Sequence, residues 1–234
     1  MSVAQIKTTL RSLADPSVAQ HSQRFFKTGP GEYAEGDKFL GIRVPILRKQ
    51  VVKNSGISIA DAQKLITSKF HEERLFALLL LVYQYSKGSE PEKAEIYNFY
   101  LRNTAYINNW DLVDSSAYQI VGSYLQQRDK EILFTLSKSI SMWERRISII
   151  STYQFIKNNK YDTSFEISKI LINDSEDLIH KAVGWMLREV GNRNPISERT
   201  FLNKHYKSMP RTMLRYAIEK FPEQERQKYL KGAI

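Results

Sequence analysis

One carboxylate stands among cations in a position that recurs along the chain. The segments HEERLFA, NWDLVDSSA, MWERRIS, LIHKAVG and SMPRTML align as successive helix starts, and the slot just after each start holds Arg74, Asp114, Arg146, Lys181 and Arg211. Positive neighbours favour the ionised form of a carboxyl group, so we expect Asp114 to be charged at neutral pH. Such a carboxylate can stabilise a developing positive charge or orient a water molecule. The alternative is an ion pair that holds neighbouring repeats together.

Two of the three tryptophans share helix faces with the charged residues of this slot. Trp110 and Asp114 are spaced i, i+4, which places them on one face of a helix. A polar stripe at i, i+4, i+7 and i+11 contains Lys181, Trp185, Arg188 and Asn192. We therefore predict Trp185 on a cationic face, and Trp143 in the core. Lysine and arginine bind nucleic-acid phosphates, and aromatic rings attract cationic groups. This set suits cleavage of an N-glycosidic bond, although the residue types alone do not select that reaction.

Arg146 lies in a different setting. Its helix stripe consists of Met142, Arg146, Ile149, Ile150 and Tyr153, so its guanidinium is expected to emerge among apolar groups. A partly buried arginine requires a carboxylate or a phosphate as its partner. Asp114, one repeat earlier, is the natural candidate within the protein.

The elements that position these residues are predicted to be helices. Apolar residues recur at helical spacing, alternation typical of strands is scarce, and Pro91, Pro195, Pro210 and Pro222 mark helix starts. The slots recur every 30 to 40 residues, a period typical of stacked helix pairs. We predict an all-α fold, an α-solenoid of HEAT-like helix-pair repeats with a concave basic face. Residues 1–234 are expected to form a single domain.

The segment 28–41, TGPGEYAEGDKFLG, interrupts the helical pattern. Its four glycines and one proline predict a loop. No Gly-Lys-Ser/Thr follows, so it is not a nucleotide-binding P-loop. It is either a long connection, which we favour, or a mobile loop near a binding face.

Composition limits the possible functions. There are 35 lysines and arginines against 25 aspartates and glutamates, a net charge of +10 that favours polyanionic partners, nucleic acid before acidic membrane. The absence of cysteine excludes a thiol nucleophile and cysteine-ligated metals, and the four histidines lack metal-binding spacing, so no metal site is expected. The longest apolar run, residues 76–83, is far shorter than the roughly 20 residues that span a bilayer. We expect a cytoplasmic, nucleoid-associated monomer without membrane contact.

Four stretches of the chain resemble one known family. Residues 39–49, 108–122, 142–157 and 180–195 are similar, in order, to the AlkD-like DNA alkylation repair proteins, which are HEAT-like-repeat DNA glycosylases. The strings W-D-x-V-D and K-A-x-G-W-x-L-R-E carry most of the similarity. The resemblance implies release of cationic N3- and N7-alkylated purines from double-stranded DNA, without a base-flipping pocket and without a cofactor.

The resemblance also implies roles for individual residues. Asp114 would be the catalytic carboxylate that stabilises the oxocarbenium-like sugar and positions water. Trp110 and Trp185 would be aromatic walls that hold the lesion nucleotide. Arg146 would contact the DNA backbone and Arg188 would bind phosphate. Lys181 is added to the DNA-binding residues from its place on the stripe alone.

The chain departs from the best-known family member at several positions. Phe25 replaces a tyrosine, Arg43 replaces a glutamine in the Gly-Ile-x-x-Pro string, and Gln154 replaces a lysine, with Lys157 close by. The glycine-rich segment 28–38 is also longer. We place Phe25 and Arg43 among the DNA-binding residues, where they bear on lesion-strand contacts and substrate range.

Two other functional classes stay open. A non-catalytic HEAT-repeat scaffold that binds DNA is one, and a solenoid adaptor that binds proteins is the other. The presence of Asp114 favours the enzyme over the scaffold. The net charge does not separate these two, because both bind DNA.

Overall fold

The computed structural model describes residues 2–234, which form α-helices joined by turns and loops. No β-strand occurs within that range, where Lys38 and Phe70 make an isolated parallel bridge. The all-α prediction is therefore confirmed. The chain separates into two compact units, one up to Ser116 and one from Ala117 onward, which we describe in turn. The single domain, the stacked repeats and the concave basic face stay predictions.

The first unit is organised around its longest helix, α5. The helices are α1 Val3–Ser12, α2 Pro16–Phe25, α3 Val44–Lys53, α4 Ile59–Ile66, α5 His71–Lys87, α6 Glu90–Arg102 and α7 Trp110–Asp114, with a 3-10 turn at Thr104–Tyr106. α5 packs against α3, α4, α6 and α7. Leu78, Leu80 and Leu81 of this helix are completely buried, so α5 supplies much of the core of this unit.

Polar caps determine where helices of the first unit begin. Asp15 caps α2 by accepting backbone N–H groups of its first turn, and Pro16 occupies the first helical position. Ser89 and Glu92 cap α6 reciprocally, with Pro91 in its first turn. The helix start predicted at Pro91 is confirmed.

A long connection, residues 26–43, joins α2 to α3 and confirms the predicted loop. The buried carboxylate of Glu72 accepts hydrogen bonds from the backbone N–H groups of Leu40, Gly41 and Ile42, at 2.8, 2.7 and 3.2 Å. Gly41 has φ +80°, and a Cβ at this position would collide with the backbone carbonyl of Asp15. Residues 40–42 are therefore anchored in the first unit.

The second unit is organised around α13. It contains a π-helical turn Tyr118–Gly122 that continues into α8 Ser123–Leu125, then α9 Glu131–Ser137, α10 Met142–Ser151, α11 Tyr153–Lys157, α12 Asp162–Ile170, α13 Asp177–Gly191, α14 Pro195–His205, α15 Arg211–Ala217, a 3-10 turn Ile218–Lys220 and α16 Glu223–Lys231. α13 packs against α10, α14 and α15. Pro195 begins α14, while Pro210 and Pro222 immediately precede α15 and α16, as predicted. From residue 2 to residue 234, no helix is long and apolar enough to cross a membrane.

A buried carboxyl group lies where α13 meets α14. Glu198 is only 2% exposed, and its Oε1 has no hydrogen-bond partner among residues 2–234. Gly191 makes room for this group, because a Cβ there would collide with the Glu198 carboxyl. Burial raises the pKa of Glu198 to about 8, against the favourable charge of Arg199 and with a further upward contribution from Glu225. The folded protein therefore retains the Glu198 proton at neutral pH.

Glu198→Gln is expected to raise stability at alkaline pH. The pKa of Glu198 is higher in the folded protein than its ordinary value of 4.5, so its contribution to stability decreases as pH rises from about 4.5 to about 8. At pH 8.5 the variant should be more stable by about 4 kcal/mol, and at pH 4 the two proteins should be alike. Urea unfolding across this pH range measures the difference. Glu225→Gln, which removes the partner of Arg199, should instead destabilise the protein at neutral pH. Identical pH profiles for wild type and Glu198→Gln would contradict the raised pKa of Glu198.

Candidate functional site

The helix α7 carries the candidate residues of the first unit. Its residues Leu112 and Val113 are fully buried, whereas Trp110 and Asp114 are partly exposed. The buried Asn109 side chain accepts the backbone N–H of Trp110 at 2.8 Å and so holds the start of the helix. This short helix is thus anchored by its apolar pair, and it carries Trp110 and Asp114 at the i, i+4 spacing that places them on one face.

Asp114 influences a buried tyrosine of the same unit. Tyr100 is completely buried, and its hydroxyl lies 3.1 Å from the hydroxyl of Ser116. Burial raises the pKa of Tyr100, and the negative charge of Asp114 raises it further. The Asp114 carboxylate is therefore close enough to Tyr100 to raise the pKa of its hydroxyl, although Asp114 itself is partly exposed.

Aromatic rings gather around Trp110. The ring of Phe26 stacks on the Trp110 ring with centroids 5.2 Å apart, and the ring of Phe25 meets it edge-on at 6.0 Å. Phe25 is 58% exposed, an unusual degree for a phenylalanine. The structure thus brings Phe25 and Trp110 together, 85 positions apart in the chain, as one partly open aromatic wall.

A buried ionic network connects α5 to α7 and to the long connection. The Nε2 of His71 lies 2.7 Å from Asp111, and its Nδ1 lies 3.5 Å from Asp37. Arg74 donates two hydrogen bonds from one guanidinium nitrogen to the two oxygens of Asp37, both at 2.8 Å. The His71 ring also stacks on Phe39 at 4.6 Å. His71 therefore joins the long connection, which carries Asp37 and Phe39, to α7.

The charge state of this network follows from its geometry. Burial by itself lowers the pKa of His71, but the adjacent Asp111 and Asp37 outweigh burial and raise that pKa to about 9. His71 is therefore an imidazolium at neutral pH, and each of its ring nitrogens faces a carboxylate. Asp37 and Asp111 carry two negative charges, and the positive charges of His71 and Arg74 balance them.

The sequence pattern does not reveal this network. The pattern places Arg74 in the recurring cationic slot, and the structure shows that this arginine is buried and paired with Asp37. The available signal was the run of four polar residues, His71 to Arg74, at the start of an apolar helix; all four are buried. Arg43 is exposed at the N-terminal boundary of α3, as its assignment to a binding surface requires.

The second unit carries its own group of candidate residues, on α13. The apolar stripe of this helix is fully buried and consists of Ile179, Ala182, Val183, Met186, Leu187 and Val190. The opposite side carries Lys181, Trp185 and Arg188, all partly exposed, which confirms the predicted polar stripe. The Trp185 indole N–H donates to Glu189 at 3.2 Å. Trp143, predicted in the core, is instead partly exposed.

The cations of this stripe have carboxylate partners in the second unit. Lys181 lies 2.8 Å from Asp177, and Arg188 forms an ion pair with Glu219. Both pairs are at least partly exposed, where an ion pair contributes about 0 to 1 kcal/mol. These two ion pairs therefore contribute little to the stability of the second unit.

Arg146 is buried, as its apolar stripe predicted. Only 5% of it is exposed, and its Nη1 donates to the backbone carbonyl of Leu178 at 2.5 Å. Leu178 lies in the first turn of α13, so Arg146 ties α10 to the helix that carries Trp185. Its predicted contact with a DNA backbone, and the roles of the other site residues, stay predictions.

Comparison with known proteins gives a consistent result. The family described as DNA alkylation repair enzyme matches residues 6–221. Among solved structures, a predicted DNA alkylation repair enzyme from Enterococcus faecalis is 18% identical, with a TM-score of 0.68 over 90% of this chain and 97% of that one. The protein smu.31 from Streptococcus mutans UA159 is 17% identical, with a TM-score of 0.54 over 92% and 100%. No curated protein matches the chain.

Proposed function

Because the chain belongs to the DNA alkylation repair enzyme family, we propose that it hydrolyses the N-glycosidic bond of cationic N3- or N7-alkylated purines in duplex DNA. The observation that carries this proposal is the accessible pair on α7, an aromatic ring at Trp110 and a carboxylate at Asp114. Family membership supports DNA alkylation repair; the glycosylase reaction and its substrate rest on the chemistry of this pair.

The proposed reaction needs no strong acid, because alkylation has already made the purine cationic. When the bond from C1′ to the base nitrogen breaks, its electron pair stays with the nitrogen, the base leaves as a neutral molecule and the sugar gains positive charge. Asp114 stabilises that charge electrostatically. It also orients a water molecule, which adds its oxygen to C1′ while its proton passes to Asp114 and then to solvent. The products are a free alkylated base and an abasic site.

The aromatic residues are proposed to bind the cationic base. A positively charged ring system is attracted by the faces of tryptophan and phenylalanine rings. Trp110 with the exposed Phe25 offers such a surface on the first unit. Trp185 is proposed as a second aromatic contact with the lesion nucleotide. Binding through such surfaces requires no base-flipping pocket, which differs from the mode of most glycosylases.

The cationic residues are proposed to hold the DNA backbone. Arg188 and Lys181 exchange their carboxylate partners for phosphates, and Arg43 contacts the strand from the first unit. Arg146, which is buried, orients α13 through Leu178 in addition to any backbone contact of its own. Affinity for duplex DNA should therefore decrease steeply with added salt.

Release of free base tests the proposed reaction. The protein is incubated with a duplex that carries one N7-methylguanine, and with the same duplex unmodified, and free base is measured over time. We expect release from the first duplex only, without added metal or cofactor. Tight binding without release from duplexes carrying N7-methylguanine or N3-methyladenine would instead support the non-catalytic DNA-binding scaffold.

A further inference from the structure

A second group of cations and aromatic rings lies on the second unit, outside the residues assigned above. Lys157 is the last residue of α11 and is exposed. Its ammonium lies 4.9 Å from the centre of the Tyr118 ring and 5.5 Å from that of Tyr153. The two tyrosine rings meet edge to face at 5.0 Å. The Lys157 ammonium therefore lies against both aromatic rings, although the residue as a whole is exposed.

A second cation approaches the same tyrosine. The guanidinium of Arg193 lies 5.6 Å from the centre of the Tyr153 ring. Arg193 pairs with Glu189 at 3.0 Å, and Glu189 also accepts the indole N–H of Trp185. The Trp185 ring in turn lies 6.2 Å from the Tyr153 ring. The group is thus continuous with the polar stripe of α13.

The two cations differ in how their charge is compensated. Arg193 has Glu189, whereas Lys157 has no carboxylate within ion-pair distance among residues 2–234. Partial burial lowers the pKa of Lys157, and the positive charge of Arg193 lowers it further. Lys157 and Arg193 both approach the Tyr153 ring, and the one carboxylate of the group, Glu189, pairs with Arg193, so the group carries a net positive charge. An anion is the group that would complete it.

We infer that Lys157 and Arg193 form a binding site for a phosphodiester group of the DNA strand, with Tyr118 and Tyr153 as its aromatic walls. A lysine ammonium is a point charge with three rotatable donors, which suits a phosphate oxygen. The tyrosine rings restrict the ammonium to one region, which reduces the ordering required on binding. The inference rests on the proposed function for the identity of the polyanion, since duplex DNA is the substrate proposed there.

The salt dependence of binding tests this site. Lys157→Gln should weaken binding to an undamaged duplex about fivefold to tenfold, and should reduce the slope of log Kd against log salt by about one. Lys160→Gln removes the same charge from an exposed lysine three positions on and serves as the matched control, with no change in slope. Lys157→Arg should retain the wild-type slope. Lys157 is exposed, and thermal unfolding of each variant verifies that the second unit stays folded.

The outcomes separate this inference from the proposed function. If the slope of log Kd against log salt is the same for Lys157→Gln, Lys160→Gln and wild type, Lys157 does not bind phosphate. That conclusion holds whether or not the protein releases a base. If the slope falls while wild type releases no base, the site is supported and the glycosylase reaction is not. If inorganic phosphate at millimolar concentration competes with duplex for wild type but less for Lys157→Gln, the site binds phosphate itself.

Discussion

Asp114→Asn is expected to lower the rate of base release from N7-methylguanine duplex by about 100-fold or more, which is typical of losing one preorganised electrostatic contact in a transition state. The amide is nearly the same size as the carboxylate but carries no charge and accepts no proton from water. It therefore loses both the stabilisation of the sugar cation and the orientation of the nucleophile. Single-turnover release of free base measures the effect.

Binding and folding should be nearly unaffected by this substitution. Asp114 is partly exposed, and the buried residues Leu112 and Val113 anchor α7 independently of it. The variant removes one negative charge, so affinity for duplex DNA should be equal or slightly higher. Asp162→Asn makes the same change at an exposed aspartate at the start of α12 and should release base at the wild-type rate. Full activity in Asp114→Asn would refute the assigned role.

His71→Ala is expected to destabilise the protein by about 3 to 5 kcal/mol, the usual cost of removing one partner from a buried ion pair. Asp111 would lose its 2.7 Å ionic contact with His71, and Asp37 would keep its ion pair with Arg74. The stacking of the imidazole on Phe39 is lost as well. Urea unfolding at pH 7 measures the change. His21→Ala, at an exposed histidine of α2, is the matched control and should change stability by less than about 0.5 kcal/mol.

The same network predicts a pH dependence. The pKa of His71 is about 9 in the folded protein and 6.5 ordinarily, so its charge contributes stability that is complete below about pH 6.5. That contribution, about 3 kcal/mol, is lost as pH rises through 9. The groups that face His71 are Asp111, Asp37 and Arg74, and both carboxylates act in the stated direction. His71→Gln should show a smaller decrease in stability between pH 7 and pH 10 than wild type; an equal decrease would show that His71 is not charged.

The decrease in stability as pH rises therefore has two expected sources, which can be separated by mutation. Glu198 acts between about pH 4.5 and 8 because burial raises the pKa of its carboxyl. His71 acts between about pH 6.5 and 9 because two carboxylates raise the pKa of its imidazole. Glu198→Gln should remove the first decrease and keep the second. His71→Gln should do the opposite.

Much of the local structure was predictable from the sequence. Helical periodicity predicted α5 and α13, the prolines predicted helix starts, and the stripe containing Lys181, Trp185 and Arg188 was predicted to oppose the apolar face of α13. The spacing of Trp110 and Asp114 predicted a shared helix face. The burial of Arg146 followed from its apolar neighbours. All of these depend on residues within a few turns of one another, where the geometry of the α-helix alone determines which side chains share a face.

Other features required the tertiary structure. The spacing that places Arg74 in a cationic series says nothing about Asp37, a carboxylate 37 positions away that neutralises it. Likewise, His71 and Asp111 are 40 positions apart, and Phe25 and Trp110 are farther apart still. Whether a charge is buried, paired or free depends on which elements pack against it, and packing sums many weak contacts between distant segments. Sequence determined which side chains each helix presents, and only the packing of the helices decided which of them meet.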